Sequence, residues 1–305
     1  MTTAMQVVDG VNLSGRTCVI TGASSGLGRE SARALAAAGA HVVLAARNAQ
    51  SLAEAQTWIH GQVRTARTST VQLDLTALAS VRAAAAAIAD EFPAIHVLMN
   101  NAGVMFTPFG KTTDGFETQF GTNHLGHFEL TRRLIPQLAA AGGARVVNLS
   151  SAGHVLGDVD FDDPNWQTRE YDKFVAYGAS KTANILHMVE LDWRLRDYGI
   201  RGYAVHPGTV ATALARHMTR DDFAALRGLA ARDTDRRQPP DFRRDFVMPE
   251  QGAATQVWAS VSRELSEVGA VYLQDCRISS AVAPYAVDEV RAARLWELSE
   301  DLCNR

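Results

Sequence analysis

Tyr177 and Lys181 stand four residues apart in the stretch AYGASKTANILHMVELDWRL, where Ile185, Leu186, Met188, Val189 and Leu191 recur at helical spacing. On one helix face their side-chain bases lie about 6 Å apart, close enough for a lysine ammonium to favour a neighbouring phenolate. A tyrosine acid/base needs that help, because its unperturbed pKa is about 10 and a nearby positive charge brings it towards working pH. The chain contains only three lysines, Lys111, Lys173 and Lys181, so a chance Tyr-x-x-x-Lys is rarer than usual.

These side chains need a cofactor and a substrate. The segment Thr21-Gly22-Ala23-Ser24-Ser25-Gly26-Leu27-Gly28 offers a place for the first. Its glycines let the backbone turn sharply and approach a pyrophosphate, whose charge is met by the N-terminus of the following helix. The spacing is Gly-x-x-x-Gly-x-Gly, and it is informative because it lies between a β-branched run at 16–21 (RTCVIT) and a helical stretch at 28–40. The dinucleotide fingerprint expects an acid about 20 residues on, to accept from the adenosine ribose. This chain has Ala45-Ala46-Arg47-Asn48 there, and an arginine suits a 2′-phosphate, so the expected cofactor is NADP(H).

The elements that must carry these residues alternate. Further strands are expected at 41–45, 71–74, 96–100, 144–149 and 201–206, and helices at 51–63, 78–92, 115–141 and 174–197. A last strand in VYLQDCRISS precedes an amphipathic helix in DEVRAARLWELSEDL. Alternation of this kind argues for an α/β, doubly wound Rossmann fold, with a mostly parallel seven-stranded sheet and helices on both faces. No repeat, low-complexity tract or linker divides the chain, so 1–305 reads as one domain with an N-terminal extension at 1–15. A polar, acidic insertion at 153–173 and an Arg- and Asp-rich stretch at 213–249 depart from the alternation. Both follow strands on the side where such folds bind ligands, and both read as functional lids or mobile loops.

Six motifs in order resemble the short-chain dehydrogenase/reductase superfamily over 16–212: Thr21 to Gly28, Asn100-Asn101-Ala102-Gly103, Asn123, Asn148-Leu149-Ser150-Ser151, Tyr177-x-x-x-Lys181 and Pro207-Gly208. The resemblance implies a catalytic tetrad. Ser151 would hydrogen-bond the substrate oxygen, Tyr177 would be the acid/base, and Lys181 would contact the nicotinamide ribose and lower the tyrosine pKa. Asn123 would hold the water that connects the lysine to solvent. It implies cofactor contacts along the turn at Gly22, Ser24, Ser25, Gly26, Leu27 and Gly28, and at Arg47 and Asn48. Asp74 would meet the adenine, with Leu75 beside it; Asn101, Ala102 and Gly103 would line the cofactor. Pro207, Gly208, Val210 and Thr212 complete the set, Thr212 at the carboxamide. The chemistry of the residues agrees: hydride transfer to a carbonyl builds negative charge on oxygen, which Ser151 and Tyr177 would stabilise while Tyr177 delivers the proton.

The 25 residues at 152–176, the wording HPGTV and the Ala-Arg pair resemble the retinol-dehydrogenase and protochlorophyllide-reductase branches, whose substrates are bulky and apolar. The expected activity is therefore NADP(H)-dependent interconversion of a carbonyl and an alcohol on such a small molecule. Two alternatives stand beside it, a non-catalytic dinucleotide-binding regulatory protein and a same-fold C=C reductase or epimerase.

Composition excludes other classes. A net charge of -3 and pI near 6.3 supply no basic field for nucleic acid. No stretch reaches the roughly 18 apolar residues of a membrane span. Cys18, Cys276 and Cys303 have no metal or redox spacing, and the default setting is cytoplasmic. Asp158, Asp160 and Asp162 miss the glycine and glutamate of an EF-hand and read as a solvated loop, so no metal is expected. His124, His127, His187 and His206 read as structural, His154 as a loop histidine bonded to backbone, and Tyr171 as packing or substrate lining. Val104, Met105, Phe106, Leu156, Trp166, Leu214, Met218 and Phe223 are candidates for an apolar pocket wall. The last helix either packs on its own domain or buries surface in a homo-oligomer.

Overall fold

The β-branched run at 16–21 forms strand β1 (Thr17–Thr21), buried in all but its first residue, as a strand covered on both faces must be. In this computed structural model residues 1–210, 213–222 and 246–305 are described. After β1 come α1 (Gly26–Ala37), β2 (His41–Ala46), α2 (Ala49–Gln62), β3 (Arg67–Gln72), α3 (Leu78–Glu91) and β4 (Val97–Asn100). Then follow α4 (Gly126–Ala140), β5 (Ala144–Leu149), α5 (Lys173–Leu195), β6 (Ile200–His206), α6 (Ala254–Val261), β7 (Val271–Gln274), β8 (Arg277–Ile278) and α7 (Glu289–Cys303).

The sheet order is β8-β7-β6-β5-β4-β1-β2-β3. The seven longer strands run parallel, and the two-residue β8 adds an antiparallel edge to the seven expected. Because side chains alternate across a strand, the sheet has two cores. Val19, Leu98, Val146 and Ala204 face a layer containing α3, α4, α5 and α7, while Ile20, Met99, Val147 and Val205 face α1, α2 and α6. The strand order reverses between β1 and β4, and a crevice at such a switch point, outside the carboxyl ends of the strands, is where this architecture takes ligands.

Two elements differ from expectation. β3 starts at Arg67 and ends before Asp74; it is an edge strand, RTSTVQ, with Val71 its one apolar residue, too few to mark it. The single helix expected at 115–141 is three pieces: a turn at Thr118–Phe120, a π-turn at Gly121–Leu125, and α4. The buried Glu117 caps the first piece, accepting from the Gln119 and Phe120 amides at 2.9 and 2.7 Å.

α7 packs on its own chain, with Leu295, Trp296 and Leu302 in the core and the Trp296 ring 5.0 Å from Phe128. The acidic loop at 158–162 is not simply solvated as expected. Asp158 pairs with Arg291 at 2.6 Å and Asp162 with Arg294 at 2.9 Å, fastening the insertion to α7. Among the described residues no helix is long and apolar enough to cross a membrane. Of the stretch at 213–249, residues 223–245, including Phe223, lie outside the described residues.

Candidate active site

Hydrogen bonds staple the carboxyl ends of β1 and β4 together. The Thr21 hydroxyl accepts from the amides of Asn101 (2.9 Å) and Ala102 (3.0 Å), and Asn101 Nδ2 donates to the Thr21 carbonyl at 2.8 Å. This brings the turn at 21–28 against the segment 100–103, two regions that sequence reading gives the same ligand. Gly22 (φ +66°) and Gly26 (φ +53°) hold the left-handed backbone that the turn requires. A Cβ on Gly28 would lie 2.4 Å from the Gly22 carbonyl oxygen and 2.6 Å from Asn101 Nδ2, so only glycine allows this approach. The turn therefore presents bare backbone at the start of α1, which fits a pyrophosphate.

The other expected cofactor residues divide. The Gly22 amide donates to Ala45 O at 2.8 Å, which brings the end of β2, and Arg47 just beyond it, to the turn. Arg47 is exposed, and among the described residues no carboxylate pairs with it. Asn48 is engaged as the cap of α2, accepting from the Ser51 amide at 2.8 Å. Asp74 lies in the loop after β3 and accepts from the Thr76 amide (2.9 Å) and hydroxyl (2.7 Å). The Leu75 side chain is buried in the core, so only its backbone is available to a ligand. Ser24 and Leu27 are half-buried; Ser25 is exposed and precedes α1 without a side-chain cap bond. Pro207 is half-buried and Gly208 has φ +85°. Val210 reaches the turn: at Gly252 an added Cβ would lie 2.5 Å from Val210 Cγ2 and 2.7 Å from Leu27 Cδ2, so this glycine leaves room for both. Thr212 lies outside the described residues.

Ser151, Tyr177, Lys181 and Asn123 converge beside the crevice. Ser151 follows β5 and its hydroxyl accepts from the Gly153 amide at 3.0 Å; a Cβ on Gly153 would lie 3.3 Å from Ser151 Oγ and 3.0 Å from Tyr177 Cε1, so serine and phenol ring meet over this glycine. The α5 helix carries Tyr177 and Lys181 one turn apart, with Lys181 Nζ 5.7 Å from the centre of the tyrosine ring. Lys181 donates to Leu149 O at 3.1 Å. Asn123, in the π-turn, accepts from the Val104 amide (2.8 Å) and donates to the Val104 carbonyl (2.9 Å) and the Ser180 hydroxyl (3.0 Å). A Cβ on Gly103 would lie 3.0 Å from Asn123 Oδ1 and 3.6 Å from Lys181 Nζ, so this glycine lets the β4 loop reach both.

Burial dominates the electrostatics. It pushes the Lys181 ammonium down to about 8 and the Tyr177 phenol up to about 12, the second opposed by the Ser151 hydrogen bond. The expected lowering of the tyrosine pKa by the lysine is therefore not what sets the value in this structure: low dielectric penalises both charges. Phe106, at φ +52°, is a backbone outlier at the site's edge. Its amide donates to Gln119 Oε1 at 2.8 Å, and its ring lies 4.9 Å from Tyr177 and 4.7 Å from Phe174.

Tyr171 is packing. Its hydroxyl lies in the Glu117, Gln119 and Thr107 cluster, which ties the insertion to the segment before α4. The buried His154 is fixed between Ser151 O (2.7 Å) and the Ala283 amide (3.0 Å). Among the described residues no group of acidic, histidine or cysteine side chains could hold a metal. Sequence reasoning missed Gln256, which is buried on α6. Its amide nitrogen lies 2.6 Å from Ser31 Oγ and 3.3 Å from Asn101 Oδ1, joining α1 to the β4 loop. No local signal marks a lone glutamine more than 150 residues from either partner.

Residues 16–222 match the short chain dehydrogenase family, and the chain belongs to it. It is an oxidoreductase of that family, and a nicotinamide dinucleotide is the family's typical cofactor. Human retinol dehydrogenase 13 is 40% identical over 290 residues, covering 95% of this chain and 85% of that protein. A crystal structure of an uncharacterized protein from Mycobacterium paratuberculosis superposes with a TM-score of 0.75 at 34% identity, covering 96% and 95% of the two chains. A Beutenbergia cavernae protein described as an NAD(P)-dependent gluconate 5-dehydrogenase, solved with NADP at low occupancy, superposes with a TM-score of 0.66 at 26% identity, covering 86% and 95% of the two chains.

Proposed function

We propose that this enzyme uses NADP(H) to interconvert a carbonyl and an alcohol on a bulky, apolar small molecule of the retinoid kind, working chiefly as a reductase. The observation that carries the reading is the meeting of Ser151, Tyr177 and Lys181 beside the glycine cradle. When bound, the nicotinamide cofactor supplies or takes the hydride. Ser151 donates to the substrate oxygen and Tyr177 gives it the proton. A phenol held near 12 is protonated throughout the neutral range, which suits an acid in reduction. Lys181 places positive charge where the phenolate forms, and Asn123 links it to solvent.

Arg47, exposed at the end of β2, supports the NADP(H) preference, as does the NADP-bound relative. The retinol dehydrogenase relatives and the aromatic wall of Phe106 and Phe174 support an apolar substrate. The test is oxidation of NADPH, and separately of NADH, against polyene, aromatic and long-chain aldehydes and ketones, with Tyr177→Phe alongside. The expected result is turnover that prefers NADPH and falls about 100-fold or more in the variant. An active Tyr177→Phe, or a preference for NADH, would overturn the assignment it addresses; reduction of a C=C bond would move the enzyme to another reaction class.

A further inference from the structure

We propose that His127 is a positioning residue that locks the π-turn carrying Asn123 to the end of β1, and so keeps the catalytic side chains in register with the cofactor cradle. The proposal rests on the oxidoreductase reading above. His127 lies on the first turn of α4 and is 1% exposed. Its Nε2 is 2.9 Å from the Thr21 hydroxyl oxygen, and its Nδ1 is 3.0 Å from the Asn123 carbonyl oxygen.

The proton positions follow from counting. A hydroxyl has one hydrogen and two acceptor lone pairs. Thr21 Oγ1 already accepts from two amides, those of Asn101 and Ala102. Its own hydrogen must therefore go to His127 Nε2, which leaves the ring hydrogen on Nδ1 to be donated to Asn123 O. Burial holds the ring neutral, its pKa down at about 4, so this single tautomer persists at working pH. The π-turn explains why a side chain is needed here. A π-type insertion interrupts the helical hydrogen-bond register, and such insertions concentrate at functional sites. In this one the Asn123 carbonyl accepts from the His127 ring.

Asn123 carries the linkage onward through its side chain to Val104 and to the Ser180 hydroxyl, one residue before Lys181 on α5. A continuous path thus runs from Asn101 and Ala102 through Thr21, His127 and Asn123 to Ser180. No other described side chain bonds to both the β1 end and the π-turn.

Three variants separate the two ends of the imidazole. His127→Asn keeps a donor near the Nδ1 position, His127→Gln keeps an acceptor near Nε2, and His127→Phe keeps neither. NADPH affinity is read by fluorescence titration, kcat with whichever carbonyl compound of the panel above is turned over, and the pH midpoint of kcat alongside. His127→Phe is expected to lose about 10- to 100-fold in kcat and to bind NADPH about 10-fold more weakly. The loss in His127→Asn should fall mainly on NADPH affinity. The loss in His127→Gln should fall mainly on kcat, with a displaced pH midpoint. Wild-type kcat and NADPH affinity in a folded His127→Phe would overturn the proposal; so would equal effects of Asn and Gln on both quantities, which would mean packing alone. If His127→Phe does not fold, the split between Asn and Gln decides. If the wild type turns over no carbonyl, the carbonyl–alcohol reading fails, while a selective loss of NADPH affinity in His127→Asn still supports the tie.

Discussion

Replacing Lys181 by methionine should make the protein more stable at neutral pH while abolishing turnover. Burial holds the folded-state pKa of this lysine down at about 8, against an ordinary 10.5. Below pH 8 the folded chain must keep a charge that the unfolded chain hydrates freely, a penalty of about 3 kcal/mol from a gap of that size. Between pH 8 and 10.5 the unfolded chain binds more protons than the folded one, so this penalty fades and stability rises with pH. Tyr177 acts in the opposite sense only above pH 10, where the unfolded chain loses a proton that the folded one keeps up to about 12. Methionine fills a similar volume without charge. The Leu149 carbonyl that Lys181 releases still accepts from Asn184 Nδ2 at 2.9 Å, so the lost bond costs about 1 kcal/mol and leaves no orphan. The net gain is about 2 kcal/mol at pH 7, shrinking to near zero by pH 9.5. Urea denaturation of both proteins at the two pH values measures it. A Lys181→Met protein less stable than wild type at pH 7, or a difference that does not shrink with pH, would refute the claim that burial of the charge dominates at this position.

Three further outcomes follow from the geometry. Arg47→Ala should weaken NADPH binding by about 10- to 100-fold and leave NADH binding nearly unchanged, as nucleotide titration would show; equal losses for both would remove the 2′-phosphate role. Gly28→Ala drives a Cβ to 2.4 Å from the Gly22 carbonyl, so it should displace the turn, abolish measurable NADPH binding and cost about 1–3 kcal/mol in thermal or urea unfolding. Glu129→Ala should destabilise by about 2–4 kcal/mol in urea unfolding. Its fully buried carboxylate holds Arg82 and Arg132 at 2.7 Å and Arg133 at 3.0 Å, and these arginines keep access to water, which places the cost at the low end.

Much of the site was legible in the chain because its parts are local. A glycine turn between a strand and a helix, or Tyr177 and Lys181 one helical turn apart, expresses backbone constraints that act within eight residues. The β-branched and alanine-rich segments likewise mark their own strands and helices, and the boundaries of β2, β5 and α7 fell within about two residues of the pattern. Where pattern was weak the reading slipped. β3 is polar because it lies at the sheet edge, and the break in the helix at 115–141 follows from the buried Glu117 cap and a π-turn, neither of which alters hydrophobic periodicity.

What the residues determined by themselves is therefore the chemistry on offer: a glycine turn with the form that suits a phosphate, a tyrosine with a lysine beside it, an arginine where the dinucleotide fingerprint expects an acid. Tertiary structure decided how that chemistry is held. The staple of Thr21 to Asn101 and Ala102, the tie from Gln256 to the same loop, and the bond of His127 to Thr21 join positions between 80 and 155 residues apart. Burial also reversed an expectation, since Tyr177 and Lys181 respond less to each other than to the loss of water around both. Solvent exclusion is a property of the assembled fold, created only when the helices close over the sheet, and no spacing along the chain records it.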